Sequence, residues 1–148
     1  MEVRIHPVGK AMYQDLTVTD GFGYIAPIIF FQGCSILCEG CHNKDLQDFS
    51  GGILVDTKKL VQEIAKNKLY EAVVYQGGEP LDQRKQLRNL ICAFRGKGFT
   101  NIVYTGYDWL TVCKSGIHKY ADIIKYGKYG DQQYFWSKGS GKHERFNK

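Results

Sequence analysis

Three closely spaced cysteines are the residues of this sequence best suited to chemistry. Cys34, Cys38 and Cys41 follow the spacing C-x3-C-x2-C. Their thiolates can hold three corners of an iron–sulfur cube, whereas such clusters are normally held by four cysteines. The fourth iron would then keep an open coordination site, as catalytic zinc sites keep one position free for a reacting molecule. The spacing therefore predicts a redox-active metal centre, and with it an enzyme.

Three other chemistries fit parts of the same loop. A zinc site would need His42 as its fourth ligand, but His42 adjoins Cys41, and one backbone would struggle to present both side chains to one ion. Residues 38–42 match the C-x-x-C-H pattern of c-type haem attachment. Cys38 and Cys41 also match a dithiol redox pair, but both of these interpretations leave Cys34 without a role. The iron–sulfur interpretation uses all three cysteines and is favoured, with zinc as the main alternative.

The composition is that of a globular protein large enough to bury a core. The chain has 148 residues, of which 43% are hydrophobic and 24% charged. No apolar run approaches the length of a membrane span, and the N-terminus has no apolar signal region. We therefore expect a cytoplasmic protein with no membrane partner, in which clustered cysteines bind metal. The net charge of +5 comes with no nucleic-acid recognition motif, so we expect no nucleic-acid partner.

Apolar runs alternate with amphipathic segments along the chain. The pattern predicts strands over residues 25–31, 72–75, 102–104 and 121–124, and helices over residues 57–67, 83–95 and 109–113. Asp56 and Asp82 are the predicted N-caps of the first two helices. Strand–helix alternation with short connections implies a parallel sheet, with too few units for an eight-stranded barrel. We expect a single α/β domain that forms a partial, open parallel α/β barrel, with residues 25–148 as its core and residues 1–24 as an N-terminal extension that includes an edge strand.

The unusual residues follow the carboxyl ends of the predicted strands. The cysteine loop comes after the first strand, Gly77-Gly78-Glu79 after the second, and Thr105 after the third. In parallel α/β folds the ligand site lies at this edge of the sheet. The pattern therefore predicts that these segments meet in one site.

The sequence resembles the radical S-adenosylmethionine superfamily, and within it the activating proteins of anaerobic (class III) ribonucleoside-triphosphate reductases. The matching segments are residues 31–44 and 48–52 around the cysteines, 74–81, 103–107, 122–129 and 141–146. Together they cover the chain from about residue 25 to its end. The tail departs from the family pattern, because residues 141–145 read Gly-Lys-His-Glu-Arg where a Thr/Ser-Asn-Gln-Arg-like run is usual.

The resemblance implies two cofactors and the residues that hold them. Cys34, Cys38 and Cys41 would ligate a [4Fe-4S] cluster whose open iron binds S-adenosylmethionine. One electron would then cleave the sulfonium bond to methionine and a 5′-deoxyadenosyl radical. Glu79 would accept a charge-assisted hydrogen bond from the methionine ammonium, and glycine lets the backbone approach the ligand closely. The full set implied to bind the cofactor is Gly40, Cys41, His42, Gly77, Gly78, Glu79 and Thr105.

The resemblance also implies partners. The substrate would be a glycine in the large subunit of anaerobic ribonucleotide reductase, and reduced flavodoxin or ferredoxin would supply the electron. The alternatives are an activator of a different glycyl-radical enzyme, a 7-carboxy-7-deazaguanine synthase-like enzyme that acts on a small molecule, and a zinc-binding interaction module. Lys125 could meet the methionine carboxylate, although strand alternation could equally point it away.

Overall fold

The computed structural model describes residues 1–38, 40–41 and 44–147. Its centre is one sheet, which in these residues contains the strands β1 (Glu2–Ile5), β2 (Gln14–Thr17), β3 (Ala26–Phe31), β4 (Ile53–Asp56), β5 (Ala72–Gly77), β6 (Thr100–Tyr104), β7 (Ile123–Tyr126), β8 (Gln133–Ser137) and β9 (His143–Phe146). The helices are α1 (Thr57–Ala65), α2 (Arg84–Arg95) and α3 (Trp109–Ser115). The strand order is β4-β1-β3-β5-β6-β7-β8-β9, with β2 also paired to β3.

Four parallel strands form the middle of the sheet. β3, β5, β6 and β7 pair side by side in the parallel direction. The first three are rich in apolar residues and buried on both faces, as expected when helices or other strands cover a parallel sheet. All four were predicted, although β7 begins at Ile123 rather than at residue 121.

Antiparallel strands flank this middle on both sides, so the sheet is mixed rather than purely parallel. β8 and β9 extend it beyond β7, and neither was predicted. On the other side β1 pairs with both β3 and β4, so this strand does not lie at an edge of the sheet. The physical reason is that β4 supplies four backbone partners along the outer side of β1. The sheet is open, as expected for a partial barrel, and the division of the chain at residue 25 stays a prediction.

The helices α1 and α2 cover one face of the sheet. Asp56 caps α1 as predicted, because its carboxylate accepts a hydrogen bond from the backbone N–H of Lys59. α2 buries an apolar stripe in the main core, formed by Leu87, Leu90, Ile91 and Phe94. The predicted cap Asp82 is wrong: Gln83 occupies the cap position without a side-chain cap bond, and the carboxylate of Asp82 binds elsewhere.

The other face of the sheet is the inner face of the open barrel. Its buried residues form a second, smaller apolar cluster of Ala26, Ile28, Ala72, Val74 and Ile102. Phe22, Phe30 and Tyr104 pack against this cluster. Within the described ranges, each helix is too short or too polar to cross a lipid bilayer.

Candidate functional site

A cavity of about 780 Å³ opens at the carboxyl ends of the parallel strands. This volume is within the range of small-molecule and cofactor sites, about 300–1,000 Å³. The lining residues are Cys34, Ile36, Cys38, Cys41, Gln76, Gly77, Gly78, Glu79, Tyr104, Thr105, Gly106, Lys125, Gly127, Tyr129, Asp131, Gln132, Gln133, Phe146 and Asn147. The structure thus brings together the three cysteines, both glycines, Glu79 and Thr105. Gly40 is not among the lining residues, and His42 lies outside the described residues.

The three cysteines lie on one wall of this cavity, and each is partly buried. Burial raises the pKa of the Cys34 thiol. In the part of the chain that the structure describes, no three His, Cys, Asp or Glu side chains form a group that could hold one metal ion. An iron–sulfur cube asks for a different arrangement, since each thiolate binds its own iron. Three thiols along one wall therefore fit the donor set of a cluster.

A network around Asp82 fixes the cysteine loop at Ser35. The Asp82 carboxylate accepts hydrogen bonds from the backbone N–H of Ser35 at 2.8 Å and from its hydroxyl at 3.1 Å. It also accepts one from the hydroxyl of Tyr107 at 2.6 Å, and the two hydroxyl groups lie 2.8 Å apart. Sequence analysis did not predict these contacts between Asp82, Ser35 and Tyr107. The signal available was that Asp82 and Tyr107 follow two predicted neighbouring strands, whose carboxyl ends the fold places at one edge of the sheet.

The Gln32 side chain holds the segment that follows the cysteine loop. This side chain is buried directly after β3, and its amide nitrogen donates to the backbone carbonyls of Asp45 at 3.0 Å and Asp48 at 2.7 Å. The backbone of Gly33 donates to the carbonyl of Leu46 at 2.7 Å. The two ends of the cysteine loop are therefore held side by side.

Gly77 and Gly78 are required by the close approach of backbone segments. A Cβ on Gly77 would lie 2.4 Å from the carbonyl oxygen of Phe31, and Gly77 has φ of +112°. A Cβ on Gly78 would lie 2.2 Å from the carbonyl oxygen of Gly33 and 2.6 Å from that of Leu46. The expected reason was the approach of a ligand. In the structure these positions require glycine because the end of β5 packs directly against the backbone of β3 and of the cysteine loop.

Glu79 is a buried carboxyl group with three internal donors. It accepts hydrogen bonds from the backbone N–H of Leu81 at 2.9 Å, from the backbone N–H of Gly106 at 2.7 Å and from the hydroxyl of Thr105 at 2.8 Å. Burial raises its pKa to about 7, although all three hydrogen bonds act in the opposite direction. Thr105 also accepts from the backbone N–H of Tyr107 at 3.1 Å. The hydroxyl of Thr105 therefore orients Glu79.

Lys125 lies on the cavity wall and points toward the inner face of the sheet. Its ammonium lies 5.3 Å from the ring centroid of Tyr104 and 5.2 Å from that of Phe146. Phe146 belongs to β9, and with Asn147 it closes one side of the cavity. The end of the chain is therefore part of the site wall, through the two residues that directly follow the divergent segment 141–145.

Comparison with known proteins agrees with this geometry. The model of a family described as a 4Fe-4S single cluster domain matches residues 19–143. The pyruvate formate-lyase-activating enzyme of Clostridium pasteurianum is 29% identical over 129 residues, which are 83% of this chain and 48% of that protein. The anaerobic ribonucleoside-triphosphate reductase-activating protein of Enterobacteria phage T4 is 29% identical over 138 residues, 79% of this chain and 88% of that protein.

Two further similarities concern another activity and the fold. The 7-carboxy-7-deazaguanine synthase of Pyrobaculum aerophilum is 32% identical over 90 residues, 59% of this chain and 40% of that protein. The crystal structure of QueE from Escherichia coli superposes with a TM-score of 0.58 at 23% identity, over 72% of this chain and 53% of that chain. The chain thus spans about half or less of several relatives and most of the phage protein. The predicted resemblance and the predicted fold class are confirmed.

Proposed function

Because the chain belongs to the family of 4Fe-4S single cluster domains and to the radical S-adenosylmethionine superfamily, we propose that it is an activase that generates a glycyl radical on anaerobic ribonucleotide reductase. Its cofactors are a [4Fe-4S] cluster and S-adenosylmethionine. One observation supports this choice of partner above the others. Aligned with the phage reductase-activating protein, the chain spans 88% of that protein, against 48% of the pyruvate formate-lyase-activating enzyme.

In this proposal Cys34, Cys38 and Cys41 hold the cluster on the cavity wall. With the cluster and S-adenosylmethionine bound, the site supplies one-electron cleavage of a carbon–sulfur bond and abstraction of a hydrogen atom. The protein's own task is to place the reacting atoms and to exclude water. The two hydrogen bonds from Ser35 to the Asp82 carboxylate hold the cysteine loop in place.

Glu79 receives the amino group of S-adenosylmethionine. The carboxyl group borders the cavity, and its pKa of about 7 leaves it partly protonated at neutral pH. A bound cationic group favours the ionised form, because opposite charges at short range lower a carboxyl pKa. Thr105 and the backbone N–H of Gly106 hold the carboxylate in place for this contact. Gly40, Cys41 and His42 are assigned to the adenosine end.

A second function in the same superfamily is the activation of a different glycyl-radical enzyme. The match to the pyruvate formate-lyase-activating enzyme covers 83% of this chain and favours it. The alignment with 7-carboxy-7-deazaguanine synthase covers 59% of the chain, and it supports a similar activity on a small molecule less strongly. A zinc-binding interaction module does not fit a chain of this family.

The test is reconstitution without oxygen. The protein, loaded with iron and sulfide and mixed with S-adenosylmethionine and a reductant, should release 5′-deoxyadenosine. Addition of the large reductase subunit should give a glycyl radical signal in electron spin resonance, and pyruvate formate-lyase should not. We propose reduced flavodoxin or ferredoxin as the donor, to be compared with dithionite. Release of 5′-deoxyadenosine with no signal on the reductase would contradict the assignment of the partner.

A further inference from the structure

One polar atom at the main cavity has no partner. The side-chain amide nitrogen of Gln76 is buried, and among the described residues no group accepts a hydrogen bond from it. Gln76 lines the cavity of about 780 Å³. Native proteins rarely leave a buried donor unsatisfied, because such a group loses its hydrogen bonds to water and gains nothing in return. The amide of Gln76 therefore lacks the partner that a bound molecule could supply.

The place of Gln76 in the sheet gives no structural reason for a polar side chain. In the register of β5 it lies beside Phe30 of β3. Val74, two residues earlier on the same face, belongs to the inner apolar cluster. An apolar residue at position 76 would extend this cluster to the cavity floor without an orphan donor. A glutamine at this position is explained by what the cavity receives.

Other glutamines of this protein show what such an amide binds. The side chain of Gln83 pairs with the backbone of one residue, accepting from the N–H of Arg4 at 2.9 Å and donating to its carbonyl at 2.8 Å. Gln32 donates to two backbone carbonyls, and Gln133 donates to the carbonyl of Gly127 at 3.1 Å. A carboxamide has the donor and acceptor of a peptide group, so it recognises backbone in any sequence.

We propose that Gln76 is a substrate-binding residue whose side-chain amide hydrogen-bonds the backbone of a polypeptide segment inserted into the cavity. This inference rests on the proposed function and names a residue that would bind the backbone of its polypeptide substrate. The terminal torsion of glutamine is broad, so a rotation about it can turn the amide nitrogen toward the cavity that Gln76 lines. Recognition through the backbone suits a glycine substrate, which offers no side chain to bind.

The test uses a minimal peptide and an isotope. The probe is acetyl-Ala-Gly-Ala-amide with deuterium at the glycine Cα, given to the reconstituted protein with S-adenosylmethionine and dithionite. Dithionite supplies the electron that cleaves the sulfonium bond. One deuterium then moves from the glycine Cα to the 5′-carbon of 5′-deoxyadenosine, and the unpaired electron stays on the glycine. Mass spectrometry measures the labelled 5′-deoxyadenosine as a function of peptide concentration.

The variant Gln76→Met keeps the size of the side chain and removes its amide. We expect the half-saturating peptide concentration to rise about fivefold to tenfold, the effect of one hydrogen bond. The matched control Gln62→Met, at an exposed position of α1, should give the wild-type value. This concentration does not depend on how much of the protein is active, so partial loss of folded variant does not alter it.

Three outcomes would overturn the inference. The first is a half-saturating peptide concentration that is equal in the wild type and in Gln76→Met. The second is a rise in the half-saturating concentration of S-adenosylmethionine with none for the peptide, which would assign the amide to the cofactor. The third is unlabelled 5′-deoxyadenosine at every peptide concentration in the wild type. A wild type that releases no 5′-deoxyadenosine at all would instead contradict the proposed function.

Discussion

At the scale of single residues, Glu79 links the chemistry of the cavity to pH. Its buried carboxyl group has a pKa of about 7, so it is largely neutral below this pH and largely ionised above it. Only the ionised form makes a charge-assisted hydrogen bond to an amino group, and hydrogen bonds to charged groups contribute about 1.5–3 kcal/mol. The occupancy of the site by S-adenosylmethionine should therefore depend on this one proton.

We predict that affinity for S-adenosylmethionine falls as the pH is lowered from about 7.5 to about 6. Below the pKa the loss approaches a limit of about tenfold per pH unit, because binding must then release the proton. Equilibrium dialysis of the reconstituted protein measures the dissociation constant. In Glu79→Gln the affinity should be lower and its dependence on pH should disappear. A Glu79→Gln variant with the wild-type pH profile would show that another group is responsible.

The cysteines make a second prediction at this scale. Cys38→Ala should lose bound iron, the broad visible absorption and the release of 5′-deoxyadenosine together, because two thiolates cannot anchor the cube at three corners. The control Cys92→Ala removes an exposed thiol from the outer side of α2 and should keep about four iron atoms per chain. Full iron content in Cys38→Ala, measured after reconstitution without oxygen, would contradict the ligand assignment.

At the scale of elements, the two aspartates that precede α1 and α2 have different roles. Asp56 caps α1, and its carboxylate accepts from the backbone N–H of Lys59 at 3.2 Å. Asp82 precedes α2 but binds Ser35 of the cysteine loop and Tyr107 instead. The start of α2 therefore lacks a side-chain cap, and the loop that presents the thiols gains an anchor.

We predict that Asp82→Ala releases iron to a chelator about tenfold faster than the wild type, since the cysteine loop loses the two hydrogen bonds that Ser35 donates to Asp82. Asp56→Ala is the matched control. It should cost about 1 kcal/mol of folding free energy through the lost cap, with an unchanged rate of iron release. Thermal unfolding and absorbance after chelator addition measure the two effects. Equal iron release from the two variants would show that Asp82 only affects overall stability.

The same elements show how far the sequence predicts the fold. β3, β5 and β6 were predicted because strands buried on both faces form short apolar runs that end at glycine or turn residues. β8 and β9 were not, because every residue of β8 is partly buried and most of β9 is exposed. Neither strand shows the alternation that marks a half-buried strand.

Some residues of the site could likewise be predicted from the sequence, and others could not. The cysteine spacing and the segment Gly77-Gly78-Glu79 could be found because local motifs carry them. The roles of Asp82 and Gln76 could not, because they depend on contacts that the chain makes only once folded. Asp82 meets Ser35 across 47 positions in sequence. Gln76 is distinguished only by the partner that its amide lacks.

At the scale of the whole molecule, positive charge is concentrated on the outer face of α2 and the turn that follows it. Arg84, Lys85, Arg88, Arg95 and Lys97 are all exposed, and residues 84–97 contain no acidic residue. Two of these cations lie in the first turn of α2, where the helix dipole disfavours positive charge. A local rule broken without a structural gain is typical of a functional surface.

This basic face begins beside the cysteine loop, because Asp82 anchors Ser35 immediately before α2. It therefore offers an acidic protein a docking surface close to the predicted cluster, and long-range attraction between opposite charges accelerates such encounters. We predict that the electron required by the proposed reaction arrives by this route. In the described part of the chain, the ion pairs join Met1 to Asp56 and Lys66 to Glu63, and neither involves α2.

We predict that reduction by an acidic flavodoxin slows several-fold when the salt concentration rises from about 0.05 M to about 0.5 M, because salt at the higher value screens charges beyond a few ångströms. The double variant Lys85→Glu/Arg88→Glu should slow the same step at low salt. The double variant Lys138→Glu/Lys142→Glu, at two exposed positions of the tail, is the control with the same change in net charge. The loss of the oxidised cluster's absorption in stopped flow measures the rate, and dithionite should reduce all variants alike. If the tail variant slows the flavodoxin as much as the helix variant does, the net charge of the molecule steers the donor rather than this face.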